Sequence, residues 1–159
     1  MMQQESEGGW NVKWWLVVVV GGIGILVMAV YMLVDNRGGS YLELSAPEAH
    51  RLAAAGELTV IDIRTPEEWR HTGVASGARL VNMVHPGGTE GFVRDVLAQV
   101  DGDPDAPIGL ICRTGNRTTH VQRLLVSHGF SRIYNITEGM AGSSAGPGWI
   151  ERGLPLDSY

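Results

Sequence analysis

Short apolar segments of strand type alternate with segments of helical pattern through most of this chain. The strand-type segments are residues 41–44, 59–63, 79–83, 108–111 and 132–136. Two of the intervening helices open with capping boxes, at Ser45–Glu48 and Thr65–Glu68. Residues 89–100 place their apolar side chains on one helical face. Because strands separated by helices pair in parallel, the sequence predicts an α/β fold with a mostly parallel five-stranded sheet flanked by helices.

The fourth predicted strand runs directly into a loop that holds the only cysteine, Cys112. A helical pattern follows over residues 118–128, so Cys112-Arg113-Thr114-Gly115-Asn116-Arg117 forms a tight turn from a strand into a helix. Such a turn aims backbone N–H groups and the positive end of the helix dipole at one point. Residues 106–137 contain four arginines and no acidic residue. We therefore expect a thiol that ionises easily, beside a site that attracts anions.

Each candidate residue also has a purely structural interpretation. A lone cysteine near a buried strand is often only a small apolar side chain, but packing does not require arginines on the loop that follows it. We therefore favour Cys112 as a nucleophile. Asp62 could act as a general acid or base, but we favour a local ion pair with Arg64 that organises the wall of the pocket. The histidines have no recognisable partner in the sequence, and we assign them no role.

The amino-terminal part of the chain has a different composition. Residues 16–34 are nineteen consecutive uncharged residues, which as a helix would span roughly 28 Å, close to the hydrocarbon thickness of a bilayer. Tryptophans precede this segment, and no small-residue cleavage site follows it, so we prefer an uncleaved span to a signal peptide. The predicted organisation is an N-terminal tail (1–13), a transmembrane helix (14–34), a linker (35–40) and a globular domain (41–159).

The distribution of charge indicates how the predicted span is oriented in the membrane, and the net charge argues against a nucleic-acid partner. Lys13 precedes the span, whereas Arg37 and Arg51 follow it, so we expect a single-pass protein of a bacterial inner membrane with its carboxyl-terminal domain in the cytoplasm. A formal net charge of −5 argues against nucleic-acid binding. No spacing of Cys and His indicates a metal site.

Three segments together resemble the rhodanese family of sulfurtransferases. Cys112 to Thr118 is similar to the active-site loop, Val60 to Trp69 to the early strand–helix motif, and Gly139 to Trp149 with Gly153-Leu154-Pro155 to the carboxyl-terminal motif. Cysteine phosphatases place the arginine of their loop as C-x5-R. Cys112 and Arg117 form C-x4-R, a smaller ring that suits one sulfur atom better than a phosphoryl group. The chain departs from the family at Gly73 to Ala78, which lacks the usual histidine, and at the insertion-like residues 142–148.

The resemblance implies a rhodanese-like fold and ping-pong sulfur transfer without a metal or organic cofactor. Cys112 would attack the outer sulfur of a thiosulfate-like anion and pass it to a thiol, to cyanide or to a protein acceptor. The resemblance assigns anion binding to Arg113, Thr114, Gly115, Asn116, Arg117 and Thr118, with support from Asp62 and Arg64. An alternative is a tethered sulfur carrier or protein-interaction module with little turnover.

Overall fold

The structure, a computed structural model, describes residues 42–159. The predicted tail, transmembrane helix and linker lie outside the described residues. No helix within residues 42–159 has both the length and the apolar character needed to cross a membrane.

Five parallel strands form the central sheet in the order β1-β6-β5-β2-β4. Their bounds are β1 Leu42–Leu44, β2 Thr59–Asp62, β4 Arg79–Leu80, β5 Ile108–Ile111 and β6 Ile133–Ile136. The helices are α1 Ala46–Ala54, α2 Pro66–Thr72, α3 Gly88–Ala98, α4 Asn116–Ser127 and α5 Gly148–Glu151. This confirms the predicted α/β fold and all five strands of its sheet.

Side chains that alternate along the strands build a core on each face of the sheet. Ile61, Ile108 and Leu110 pack with residues of α3 and α4, such as Phe92 and Leu125. Their strand neighbours Val60 and Ile111 belong to the second core, with Ala46 of α1 and Trp149 of α5. Strand β5 is buried on both faces, as its apolar sequence predicts.

Two elements differ from the sequence prediction. The third predicted strand, residues 79–83, is shorter than expected, since only Arg79–Leu80 is regular strand. A small antiparallel pair joins β3, Val74–Ala75, to β7, Leu156–Asp157, and was not predicted. Each of these strands has two residues, too few for a period to be visible in sequence. The pair fixes the carboxyl-terminal tail against the segment that departs from the family pattern.

Hydrogen bonds hold the insertion-like residues 142–148 in place. Ser143 and Gly146 form an isolated bridge, and the N–H of Gly148 donates to the buried Glu138 carboxylate at 3.0 Å. Glu138 also accepts from Arg152 at 2.6 Å, which links this segment to the end of α5. The buried carboxylate of Glu138 therefore holds the end of this insertion in place.

Candidate functional site

The loop after β5 turns sharply into α4 through Gly115. This glycine has φ +81°, and a Cβ there would overlap the backbone of Thr137. Only glycine combines the left-handed conformation with such a close approach. Helix α4 begins at Asn116, two residues earlier than the sequence predicted, because Gly115 serves as its N-cap without a side-chain cap. The turn thus places Arg117 and Thr118 in the first helical turn.

Cys112 lies at the end of β5 and is completely buried. It packs in the first core with residues that include Val81 and Phe92. Its Sγ lies 3.6 Å from Oγ1 of Thr118. The Thr118 hydroxyl has two acceptors at 2.6 Å, the Gly115 carbonyl and Oδ1 of Asn135. Asn135 is buried on β6 and was not predicted as a site residue, because an asparagine within a strand carries no signal of a partner in another segment.

The backbone N–H groups of this loop are possible donors to a bound anion. Within the described residues, the N–H groups of residues 113–118 have no backbone acceptor. Those of Asn116, Arg117 and Thr118 belong to the first turn of α4, where the helix dipole is positive. The loop therefore supplies several donors for an anion, as the sequence predicted.

The carboxyl-terminal segment braces the loop from the other side. Met140 N–H donates to the Cys112 carbonyl at 2.9 Å, and Ala141 N–H donates to the Arg113 carbonyl at 2.9 Å. A Cβ on Gly139 would lie 2.5 Å from the carbonyl oxygen of Arg113 and 2.7 Å from the N of Thr114. The two motifs thus pack backbone against backbone, and a side chain at position 139 would push the loop away.

The two loop arginines occupy different environments. Arg113 is exposed and lines a cleft, whereas Arg117 is half-buried and donates to the Glu68 carboxylate from Nη1 and Nη2, at 2.8 and 2.6 Å. Hydrogen bonding to Arg117 lowers the pKa of Glu68 to about 2. Glu68 in turn raises the pKa of Arg117, and Cys112 acts in the same direction to a smaller extent. Arg117 therefore has an acidic partner that the sequence analysis did not assign.

Glu68 was not predicted as a site residue because the capping box with Thr65 already explained its presence. The capping box is present: Thr65 Oγ1 accepts from the Glu68 N–H, and the Glu68 carboxylate accepts from the Thr65 N–H at 3.1 Å. Its position could have indicated a role in the site, because α2 begins at the same edge of the sheet as the Cys112 loop. At the other predicted box, only half of the pattern is found among the described residues: Ser45 Oγ accepts from the Glu48 N–H at 3.4 Å, but the Glu48 carboxylate makes no return contact with the Ser45 N–H.

Asp62 and Arg64 form the predicted ion pair, and both are buried. Arg64 Nε donates to both Asp62 carboxylate oxygens at 2.9 Å, and Nη2 donates at 2.7 Å. The remaining donors bind Thr72 Oγ1 and the Gly73 carbonyl. These contacts join the end of β2 to the C-terminal end of α2, so the pair supports the wall of the site.

Three loops enclose a cleft of about 590 Å³ beside the Cys112 loop. Arg64, Arg113 and Met140 come from the loops after β2, β5 and β6. Ala141 and the part-exposed Ile150 add an apolar wall that was not predicted. Thr114 is half-buried and Asn116 exposed, and neither has a side-chain hydrogen bond within the described residues. In residues 42–159, no cluster of three or more His, Cys, Asp or Glu side chains has the arrangement of a metal site.

Residues 45–145 match the family model of the rhodanese-like domain. The chain is 30% identical over 94 residues to the thiosulfate sulfurtransferase GlpE of Pseudomonas aeruginosa, covering 59% of this chain and 76% of that protein. It is 26% identical over 98 residues to an uncharacterized protein of Rickettsia prowazekii, covering 60% and 80%. The polysulfide-sulfur transferase homodimer of Wolinella succinogenes has a similar fold, with a TM-score of 0.56, 24% identity and coverage of 83% and 89%.

Proposed function

Because the chain belongs to the rhodanese-like domain family, we propose that it is a sulfurtransferase that carries sulfane sulfur on Cys112 as a persulfide. One observation carries this proposal: the single cysteine stands at the start of a loop whose N–H groups, residues 113–118, have no backbone acceptor in the part of the chain that the structure describes, and those of residues 116–118 lie at a helix N-terminus. Such donors stabilise negative charge on a thiolate, a persulfide or a bound anion.

The proposed donor is a small anion of the thiosulfate type. The Cys112 thiolate attacks the outer sulfur, a new S–S bond forms, and the original S–S bond breaks so that its electron pair leaves with sulfite. Arg113, exposed at the cleft, and Arg117, in the first turn of the helix that follows the Cys112 loop, are assigned to orient the anion and to stabilise charge on the leaving group. Gly115 keeps the turn tight, and Thr118 positions its hydroxyl near the sulfur.

The second half-reaction regenerates the enzyme. A thiophilic acceptor attacks the outer sulfur of the persulfide, and the electrons of the broken S–S bond return to Cys112 as thiolate. The acceptor is cyanide in an assay and a thiol, free or on a protein, in the cell. Every step uses the chain's own residues, so the mechanism requires no cofactor.

We also propose that residues 14–34 anchor the protein in a bacterial inner membrane as a single-pass helix, with the domain of residues 41–159 on the cytoplasmic side. The uncharged stretch and the positions of Lys13, Arg37 and Arg51 support this topology. Reporter fusions at both termini test it. A carboxyl-terminal reporter active only outside the cytoplasm would contradict it.

A tethered sulfur carrier with little turnover is the second candidate. It is favoured by the complete burial of Cys112 and by the occupation of Arg117 by Glu68, both of which restrict access of a small donor. Production of thiocyanate from thiosulfate and cyanide separates the two functions. Turnover by the protein and none by Cys112→Ser supports the enzyme. No turnover by folded protein with reduced Cys112 favours the carrier.

A further inference from the structure

The carboxylate of Glu68 stands where an anion would bind Arg117. Its two oxygens accept from the two terminal guanidinium nitrogens, the arrangement that a bidentate oxyanion would also adopt. Arg117 is in the first turn of α4, next to Thr118, whose Oγ1 lies 3.6 Å from the Sγ of the completely buried Cys112. A donor anion that uses Arg117 must therefore displace or share the Glu68 contact.

Two further contacts show that Glu68 is held in this position. Its carboxylate accepts from the Thr65 N–H at the N-terminus of α2, and Arg64 adds a positive charge nearby. Only 27% of its side-chain surface is exposed. The neighbouring Glu67 makes a useful comparison, since its side chain is 76% exposed and lies 3.7 Å from Arg70.

We propose that Glu68 is a specificity-determining residue that competes with the donor for Arg117 and restricts access to Cys112. This inference rests on the proposed function for its donor, but the competition itself does not require turnover. Donors favoured by this arrangement are oxyanions that can replace both carboxylate contacts, such as thiosulfate or an alkyl thiosulfonate. Monatomic anions make one contact and displace Glu68 poorly.

The experiment uses the full-length protein, whose only cysteine is Cys112. Intact-protein mass therefore reports alkylation of this thiol alone. Iodoacetamide, which is neutral, measures access, and added sulfate measures anion binding by the protection it gives. The variants are Glu68→Gln and the matched control Glu67→Gln, which removes the same charge from the same helical turn.

Glu68→Gln is expected to be alkylated roughly threefold faster or more, and sulfate should protect it at a correspondingly lower concentration. Glu67→Gln should react at close to the parental rate. An unchanged or slower rate in folded Glu68→Gln overturns the proposal, as does an equal increase in Glu67→Gln, because the effect would then come from net charge alone.

Glu68→Asp keeps the proposal testable if Glu68→Gln does not fold. Its carboxylate is one methylene shorter and reaches Arg117 less well, so an intermediate increase in rate is expected; parental or slower alkylation contradicts the proposal. The thiosulfate KM gives a second readout. Competition predicts that it falls in Glu68→Gln, whereas a merely structural role predicts a higher KM together with a lower kcat.

The two proposals fail in different ways. If Glu68→Gln alters alkylation and sulfate protection but no variant produces thiocyanate, the sulfurtransferase proposal fails and the competition stands. If the parent turns over thiosulfate but Glu68→Gln does not alter access or anion binding, the competition proposal fails and the sulfurtransferase proposal stands.

Discussion

Removal of the Asp62 carboxylate should leave an uncompensated buried charge. Arg64 is 1% exposed, and Asp62 supplies the acceptors for three of its side-chain hydrogen bonds. Breaking a buried ion pair by deleting one partner typically costs about 3–5 kcal/mol. Because Thr72 and the Gly73 carbonyl would still bind the guanidinium, we expect Asp62→Ala to lower the free energy of unfolding by about 3 kcal/mol, the lower end of that range.

Urea denaturation of a fragment spanning residues 36–159 measures this change. The control is Glu67→Ala, which removes an exposed partner of Arg70 and should change the free energy of unfolding far less than Asp62→Ala does. The double variant Asp62→Ala/Arg64→Met removes both charges and should recover much of the loss, since no buried charge remains unpaired. A loss below about 1 kcal/mol in Asp62→Ala, or a double variant less stable than the single one, would refute this reasoning.

Three further predictions concern the packing against the Cys112 loop, the stability of the protein at low pH, and the predicted membrane segment. Gly139→Ala should destabilise the protein more than Gly56→Ala and should impair any sulfur transfer. Both glycines have positive φ, but only Gly139 faces the Arg113 backbone. Thermal unfolding and turnover of the two variants test this, and equal effects would contradict it. Since folding lowers the pKa of Glu68 from 4.5 to about 2, its contribution to stability is fully present above pH 4.5 and is lost as the pH falls through about 2. Acid titration of Glu68→Gln should therefore show a shallower decline between these values than the parent, and parallel curves would exclude a role for this carboxyl. Deletion of residues 1–35 should move the protein from the carbonate-washed membrane pellet to the supernatant, and full-length protein in the supernatant would contradict the anchor.

Local signals were sufficient to predict the sheet and most of the helices. The apolar run at residues 108–111, the Thr65 capping box and the Gly115 turn each involve neighbours in sequence, and each is found in the structure. The β3–β7 pair was missed because it joins residues about 80 positions apart through two-residue strands. Its formation depends on tertiary contact, which periodicity does not contain.

The same distinction applies to the site. Cys112, Arg113 and Arg117 were identifiable because their spacing lies within one loop. Glu68 was not, since its bond to Arg117 spans 49 residues and its capping role already explained it. The complete burial of Cys112 was not expected either, because the thickness of protein above a strand end depends on how distant loops pack.

The most direct test of a persulfide-carrying Cys112 is the intact mass of the reduced protein after incubation with thiosulfate, without any acceptor. The account predicts an added mass of one sulfur atom, localised to Cys112, absent from Cys112→Ser and removed by cyanide with formation of thiocyanate. An unchanged mass in folded protein with reduced Cys112, for thiosulfate and for a thiosulfonate donor alike, would contradict it.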